Sequence, residues 1–327
     1  PDYVWQSSSA NDDFEPKLSL TPLIFGTLKG TLYAMIFAIP LALLGAIYTS
    51  QFMGPRMKKF VKPAIEIMAA IPSVVIGFLA GLWLAPLLDK GIVSVFVGIL
   101  VIPLFVILSI LLWKNFRNKP FLKGISMGYE FLILVPALLL GVYASHALGN
   151  VLETSVFAGD FKLWLFNGFG TRYDQRNSII IAFALGLAVI PLIFTMADDA
   201  LSNVPKNLSA ASLAIGASRW QTAWRIVLPS ALPGIFSAVM IGFGRAIGET
   251  MIVLMATGNT PIMNWSIFNG FRSLSANIAV EIPEAPVFGT LYRVLFLSAV
   301  LLFIFTFIIN TVAEVLRQSF RKKYGRF

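Results

Sequence analysis

Apolar residues run along this chain in seven long blocks, and the short segments between them collect its charge. The blocks lie at roughly 24–49, 64–88, 91–113, 129–148, 178–197, 232–257 and 289–313. A helix that crosses a bilayer needs about 20 mostly apolar residues. Each block therefore predicts a membrane span, and together they predict an all-α, polytopic transmembrane helical bundle. Pro40, Pro72, Pro103, Pro136 and Pro191 fall inside blocks. Such prolines are tolerated in membrane helices when neighbouring groups satisfy the carbonyls they free.

The connecting segments set the orientation through their Lys/Arg bias. Arg56, Lys58, Lys59 and Lys62 lie in 51–62, and Lys114, Arg117, Lys119 and Lys123 in 114–128. Lys206, Arg219 and Arg225 lie in 198–231, and Arg317, Arg321, Lys322, Lys323 and Arg326 in the tail. Alternate segments hold only Lys17, Lys90, Lys162, Arg172, Arg176 and Arg272, among most of the carboxylates. Seven spans then place the amino end outside and the basic tail in the cytoplasm. The net charge of +9 is explained by this bias, which argues against a nucleic-acid partner.

Composition narrows the class further. The chain is 57% hydrophobic and 13% charged, about half the charged fraction of a soluble domain. It has no cysteine, which excludes disulfides, thiolate metal sites and cysteine nucleophiles. A single histidine, His146, leaves little basis for a histidine-rich metal site or a serine–histidine triad. No cofactor is expected. The first residues are polar and acidic, unlike a signal-peptide n-region. Residues 1–20 are read as an extracytoplasmic segment of a longer chain, with sequence missing upstream of Pro1.

Two features carry candidate chemistry. The first is a polar, helix-prone island at 205–229, PKNLSAASLAIGASRWQTAWRIVLP, between two apolar blocks. It predicts helices over 206–215 and 218–226 hinged at Gly216, since glycine supplies unusual backbone angles at little cost. An amphipathic helix resting on lipid would also suit Trp220 and Trp224. The second is Gly244–Thr250, GRAIGET, in the sixth block. Arg245 should lie roughly 20 Å into that helix, near the bilayer centre, with Glu249 one turn further on the same face. An intramembrane arginine faces a partner or a wet pathway, and its planar fork suits a tetrahedral oxyanion. A closed Arg245–Glu249 pair that only locks the bundle is the competing reading. Lys29 and Arg293 sit near span ends and can snorkel. The aromatic segment 157–173, with Trp164, Phe166 and Phe169, is expected to rest on the membrane or meet a binding protein.

The island's spacing, Gly216 followed by Ile226-Val-Leu-Pro229, resembles the EAA loop of ABC-importer permeases. In that family the loop is a coupling helix seated on an ATPase subunit. The resemblance makes Ala210, Ala211, Gly216, Ala217, Arg219 and Trp220 the coupling candidates. Ala210 stands where the family usually has glutamate, and Ser212 where it has alanine. GRAIGET with MIVLMATGN, and Ile65–Gly77 (IEIMAAIPSVVIG), are similar to segments of the phosphate-specific (Pst) importer permeases, the C-type subunit more than the A-type. They imply a substrate pathway bearing Arg245, Glu249, Ser73 and Thr250, with Pro72 breaking its helix so that freed carbonyls and Ser73 line a cavity; an ordinary proline kink is the competing reading.

The resemblance implies a type I ABC importer permease (MetI-like) fold with its core in 21–90 and 178–327. Segment 91–177 does not match that core and reads as an inserted helix pair. The implied function is a permease subunit of an ATP-driven inorganic phosphate importer in a bacterial inner membrane. Its implied partners are an ATPase subunit dimer, a second (A-type) permease, an extracytoplasmic phosphate-binding protein and membrane lipid. No stretch matches G-x-x-x-x-G-K-[ST], so this chain is not expected to be an enzyme and ATP would be hydrolysed on a partner. Import of sulfate or molybdate, a secondary carrier, and a non-transporting scaffold or sensor are the alternatives.

Overall fold

The computed structural model describes residues 3–8, 14–116 and 131–324. A hairpin of β1 (Trp5–Gln6) and β2 (Lys17–Leu18) precedes α1 (Thr21–Gln51). Then come α2 (Pro55–Ala69), α3 (Ser73–Leu79), a π turn (Ala80–Leu84) and α4 (Ala85–Lys90). They are followed by α5 (Ile92–Phe116), α6 (Phe131–Ser155), α7 (Phe161–Phe169) and α8 (Ser178–Ser202). Next are α9 (Lys206–Ala214), α10 (Arg219–Thr222) and a second π turn (Ala223–Val227). The chain continues through α11 (Leu228–Gly248), α12 (Met251–Ala256), α13 (Leu274–Glu281) and α14 (Thr290–Tyr324). Among the described residues seven helical stretches are long and apolar enough to cross a membrane. The molecule is an all-α polytopic bundle, divided into two compact units, residues 1–83 with 176–327 and residues 84–175.

In the larger unit α1 lies along α8. Ala34, Ala38, Ala42 and Ala46 form a buried ridge on α1 at four-residue spacing. On α8, Gly186 leaves room for the Phe37 ring, which also packs on Phe183 at 4.6 Å. Small residues let membrane helices approach closely, which drives association where lipid offers no hydrophobic gain.

The second predicted span, 64–88, is not one helix. The chain breaks at residues 70–72, so α2 stands apart and the membrane-length stretch is Ser73–Lys90. Pro72 has extended backbone (φ −58°, ψ 135°) at the start of α3. The sixth block, 232–257, also breaks. Glu249 is extended (φ −68°, ψ 124°) between α11 and α12. The two short helices after these breaks pack together. A side chain at Gly77 would meet the carbonyl oxygen of Met251 at 2.9 Å, and one at Gly81 would collide with that of Met255. Because 77 matches 251 and 81 matches 255, α3 and α12 run parallel, α3 beginning about one turn before α12. Overpacking a tight contact costs ~1–3 kcal/mol. Gly81→Val should therefore lower the unfolding temperature in detergent by several degrees. Gly54→Ala, where nothing lies within 4 Å, should leave it unchanged.

Lys29 does not snorkel. It is fully buried, its Nζ donating to the Asn269 carbonyl at 3.4 Å and lying about 6 Å from the Phe271 and Tyr33 ring centroids. Rings facing a desolvated ammonium offset part of its burial cost. Arg272, read from sequence as a loop charge, is also internal. Its Nη1 donates to Glu281 Oε1 at 2.9 Å and Asn277 Oδ1 at 3.1 Å, and the Trp5 indole donates to the same Glu281 oxygen at 2.8 Å. Trp5 thereby anchors the hairpin in a cluster with Leu23, Leu274 and Leu295.

In the smaller unit α5 and α6 pack antiparallel through a seam of small residues. A side chain at Gly149 would strike Ser94, one at Gly98 would touch Ser145, and one at Gly141 would touch Ile102. Pro103 and Pro136 lie inside these helices without ending them. Around α7 the rings of Phe157, Phe161, Trp164 and Phe169 pack on one another. Trp164 therefore spends part of its surface inside this unit rather than presenting all of it outward, while Phe166 is exposed. Lys162 pairs with Asp89 at 2.7 Å.

Candidate functional site

Glycine sets the shape of α11 around Arg245. Gly242 admits Ile193 of α8, and a side chain at Gly244 would lie 3.1 Å from Asn310 Oδ1 of α14. Gly248, a poor helix residue, ends α11. The chain then turns out of helical geometry, and the Ser275 hydroxyl donates to the Glu249 carbonyl at 3.0 Å. A carbonyl that would have continued the helix is thus satisfied from α13.

This break corrects the expected pairing. Arg245 lies in the last turn of α11 and Glu249 caps its end. Among the described residues Arg245 takes part in no ion pair, with Glu249 or with any other carboxylate. It is exposed and lines an open groove of about 670 Å³ with Met196, Ser237, Asn310, Glu314 and Arg317. A second cavity of about 420 Å³ shares Met196, Ser237 and Arg317 and adds Asp199 and Asn203. The two form a channel-like furrow along α8, α11 and α14, ending near the segment that leads into α9.

Arg317 is held by Glu314, with Nε to Oε2 at 2.8 Å and Nη2 to Oε1 at 2.7 Å. Gln318 also donates to Glu314, at 2.9 Å. Arg245 is therefore the cation of the furrow that takes part in no ion pair among the described residues. Ser73, Glu249 and Thr250 are half-buried and are not in the furrow lining. Ser73 and Thr250 instead mark the starts of the parallel helices α3 and α12, where helix N-termini carry partial positive charge. The sequence reading missed Asn310, Glu314 and Arg317. Asn310 is a polar residue in the last apolar block, the signal that could have found it.

The 205–229 segment folds as two short helices. Gly216 has φ +90°, a left-handed conformation that side chains disfavour. Ser218 then opens α10 with a capping box, its hydroxyl accepting from Gln221 N while Gln221 Oε1 accepts from Ser218 N. Ser212 on α9 and Thr222 on α10 share a buried hydrogen bond of 2.9 Å that fixes the crossing. Ala210, Ala211, Gly216, Arg219 and Trp220 are exposed, and Ala217 is half-buried. Ile215, at the turn, is 88% exposed. Trp220 stacks on Trp224 at 5.8 Å and lies 6.0 Å from the Phe52 ring. Part of its surface thus braces the segment against the end of α1. The result is a rigid protrusion with an apolar, weakly charged tip.

Three relatives share extended similarity with the chain. The "Probable ABC transporter permease protein YqgH" of Bacillus subtilis is 26% identical over 269 residues, covering 82% of this chain and 62% of the relative. A "Phosphate transport system permease protein PstC" of Mesorhizobium japonicum is 29% identical over 251 residues, covering 74% of this chain and 75% of the relative. The PstC of Pasteurella multocida is 26% identical over 307 residues, covering 93% and 76%. The chain thus spans less than two thirds of the first relative and about three quarters of the other two. No solved structure matches it. Residues 38–326 match the family described as "Binding-protein-dependent transport system inner membrane component". The match takes in α8, the 205–229 protrusion, the Arg245 furrow and both helix breaks, and on it the chain belongs to that family of inner membrane transport components.

Proposed function

We propose that the chain is a transmembrane permease subunit of an ATP-driven inorganic phosphate importer. The observation that carries the reading is Arg245, a permanent cation in an open furrow with no carboxylate paired to it among the described residues. An arginine without an ion-pair partner at membrane depth is costly unless an anion or water visits it, and its fork matches an oxyanion's geometry. The names of the Mesorhizobium and Pasteurella relatives support phosphate as that anion.

The furrow is open on one side, which suits a pathway completed by a second, A-type permease. The 205–229 protrusion faces the cytoplasm in this reading, with the basic tail, and the amino end faces outward. Its exposed tip seats on one subunit of an ATPase dimer, and an extracytoplasmic phosphate-binding protein delivers the anion at the opposite end. Closure of the ATPases moves the protrusion and reorients the spans by alternating access. Release requires that Arg245 hold the anion only transiently.

The test of cargo is competition. The assembled complex in liposomes should show ATP-driven phosphate uptake that unlabelled phosphate abolishes and excess sulfate or molybdate leaves intact. Suppression by either of those anions would make the cargo a broader or different oxyanion.

A further inference from the structure

The ion pair between Lys62 and Asp198 joins two helices whose ends matter in different ways. Asp198 lies in the last turns of α8, which leads through Asn203 and Pro205 into the protrusion. Lys62 lies on α2, which leads into the break at Pro72 and so to the start of α3. The Asp198 side chain is 2% exposed and that of Lys62 38%. One carboxylate oxygen binds Lys62 Nζ, while the other, Oδ1, is buried with no hydrogen-bond partner among the described residues. A buried carboxylate so placed depends on its single cation.

Helix α2 packs on α8 with half-buried residues such as Val61 and Ile65. None of its residues is buried. One turn before Lys62, on the same face, Lys58 Nζ donates to the Ser50 carbonyl at 2.9 Å and so ties α2 to the end of α1. The hydrogen bond to Asp198 raises the Lys62 pKa above the ordinary lysine value, and the charges of Asp198, Asp199 and Glu66 act in the same direction. The lysine therefore stays charged across physiological pH, and the tie is permanent rather than a pH switch.

We propose that Lys62 and Asp198 are positioning residues that make α2 move with the end of α8, so that displacement of the 205–229 protrusion is carried to the Pro72 break. The proposal rests on the importer reading for its driving force, but not on the identity of the cargo. Neither residue lines the Arg245 furrow, so their effect is on transmission and not on anion contact.

The experiment uses the assembled complex and a reporter at the break. The chain has no cysteine of its own, so Ile71→Cys, at an exposed position, can be labelled selectively on this subunit. The rate of maleimide labelling should change between nucleotide-free and ATP-trapped complexes. In Asp198→Asn or Lys62→Met that ATP-dependent change should shrink by about tenfold, at the upper part of the range for residues that carry coupling. Lys62→Arg should keep most of it, and the swap Lys62→Asp with Asp198→Lys should recover part. Lys59→Ala, an exposed neighbour, should have no effect. If a single variant fails to assemble, Lys62→Cys with Asp198→Cys is read instead, the reporter being scored by its own tryptic peptide. Joining those two cysteines with a short thiol-reactive cross-linker should restore the ATP-dependent change. An undiminished change in the neutral variants, or no restoration by cross-linking, overturns the proposal. Loss of phosphate selectivity with the labelling pattern intact would count against the cargo alone.

Discussion

Arg245→Gln is expected to lower ATP-driven phosphate uptake by ~10–100-fold, the loss of one charge-assisted hydrogen bond of ~1.5–3 kcal/mol. The substitution keeps a polar side chain, and the position is exposed at the end of α11, so the subunits should still co-purify. Arg245→Lys keeps the charge but loses the planar fork, and should fall between glutamine and the native residue. Glu249→Gln separates the two readings of this site. If the pair were a structural lock, neutralising either member would have the same consequence. No ion pair joins Glu249 to Arg245 among the described residues, so Glu249→Gln should leave uptake within a factor of about two. Initial rates of radiolabelled phosphate uptake into liposomes decide among these outcomes.

The second large effect is expected at the protrusion. Gly216 adopts φ +90°, and the space into which a side chain would project there is open. The obstacle to substitution is therefore backbone conformation and not crowding. A β-branched residue in that conformation costs ~1–3 kcal/mol. Gly216→Val should relieve the strain by changing the turn, which tilts α9 against α10 and competes with the Ser212–Thr222 hydrogen bond. The ATPase surface would then be displaced, and co-purification of the ATPase subunit should fall by about tenfold, the equivalent of ~1.4 kcal/mol. Gly168→Ala, in open space on α7, is the matched control. Equal ATPase retention in Gly216→Val and the native chain would count against the protrusion as the coupling element.

The apolar blocks made the seven spans legible, because span length follows from bilayer thickness. Of the two helix breaks, the one at Pro72 was expected from the resemblance of its segment, and the one after Gly248 was not. Pro40, Pro103, Pro136, Pro191 and Pro233 sit inside helices that continue through them, whereas the chain breaks at Pro72. Each removes the same amide donor, so local chemistry does not separate them. Beside the break at Pro72, the backbone of α12 packs against Gly77 and Gly81. That contact joins residues about 170 positions apart in sequence, beyond any local pattern.

The same applies to the helix end at Glu249, where the four-residue spacing assumed a helix that continued. The outcome turned on Ser275, whose hydroxyl takes the Glu249 carbonyl. The hinge at Gly216 was legible, since glycine between two helix-prone runs admits few other readings. Arg317 was read as an orienting tail charge, and Lys29 as a snorkelling one. Arg317 pairs one turn back on its own helix, with Glu314, whereas Lys29 finds its partner in a distant loop, the Asn269 carbonyl.

The central claim is that this chain moves anions only as part of an ATP-driven complex. The direct measurement is phosphate accumulation in liposomes that carry the complete complex, with ATP sealed inside and the binding protein outside. Accumulation that requires hydrolysable ATP, and is absent for the isolated chain under a proton or sodium gradient, is the predicted result. Gradient-driven accumulation by the isolated chain, without ATPase, would contradict it.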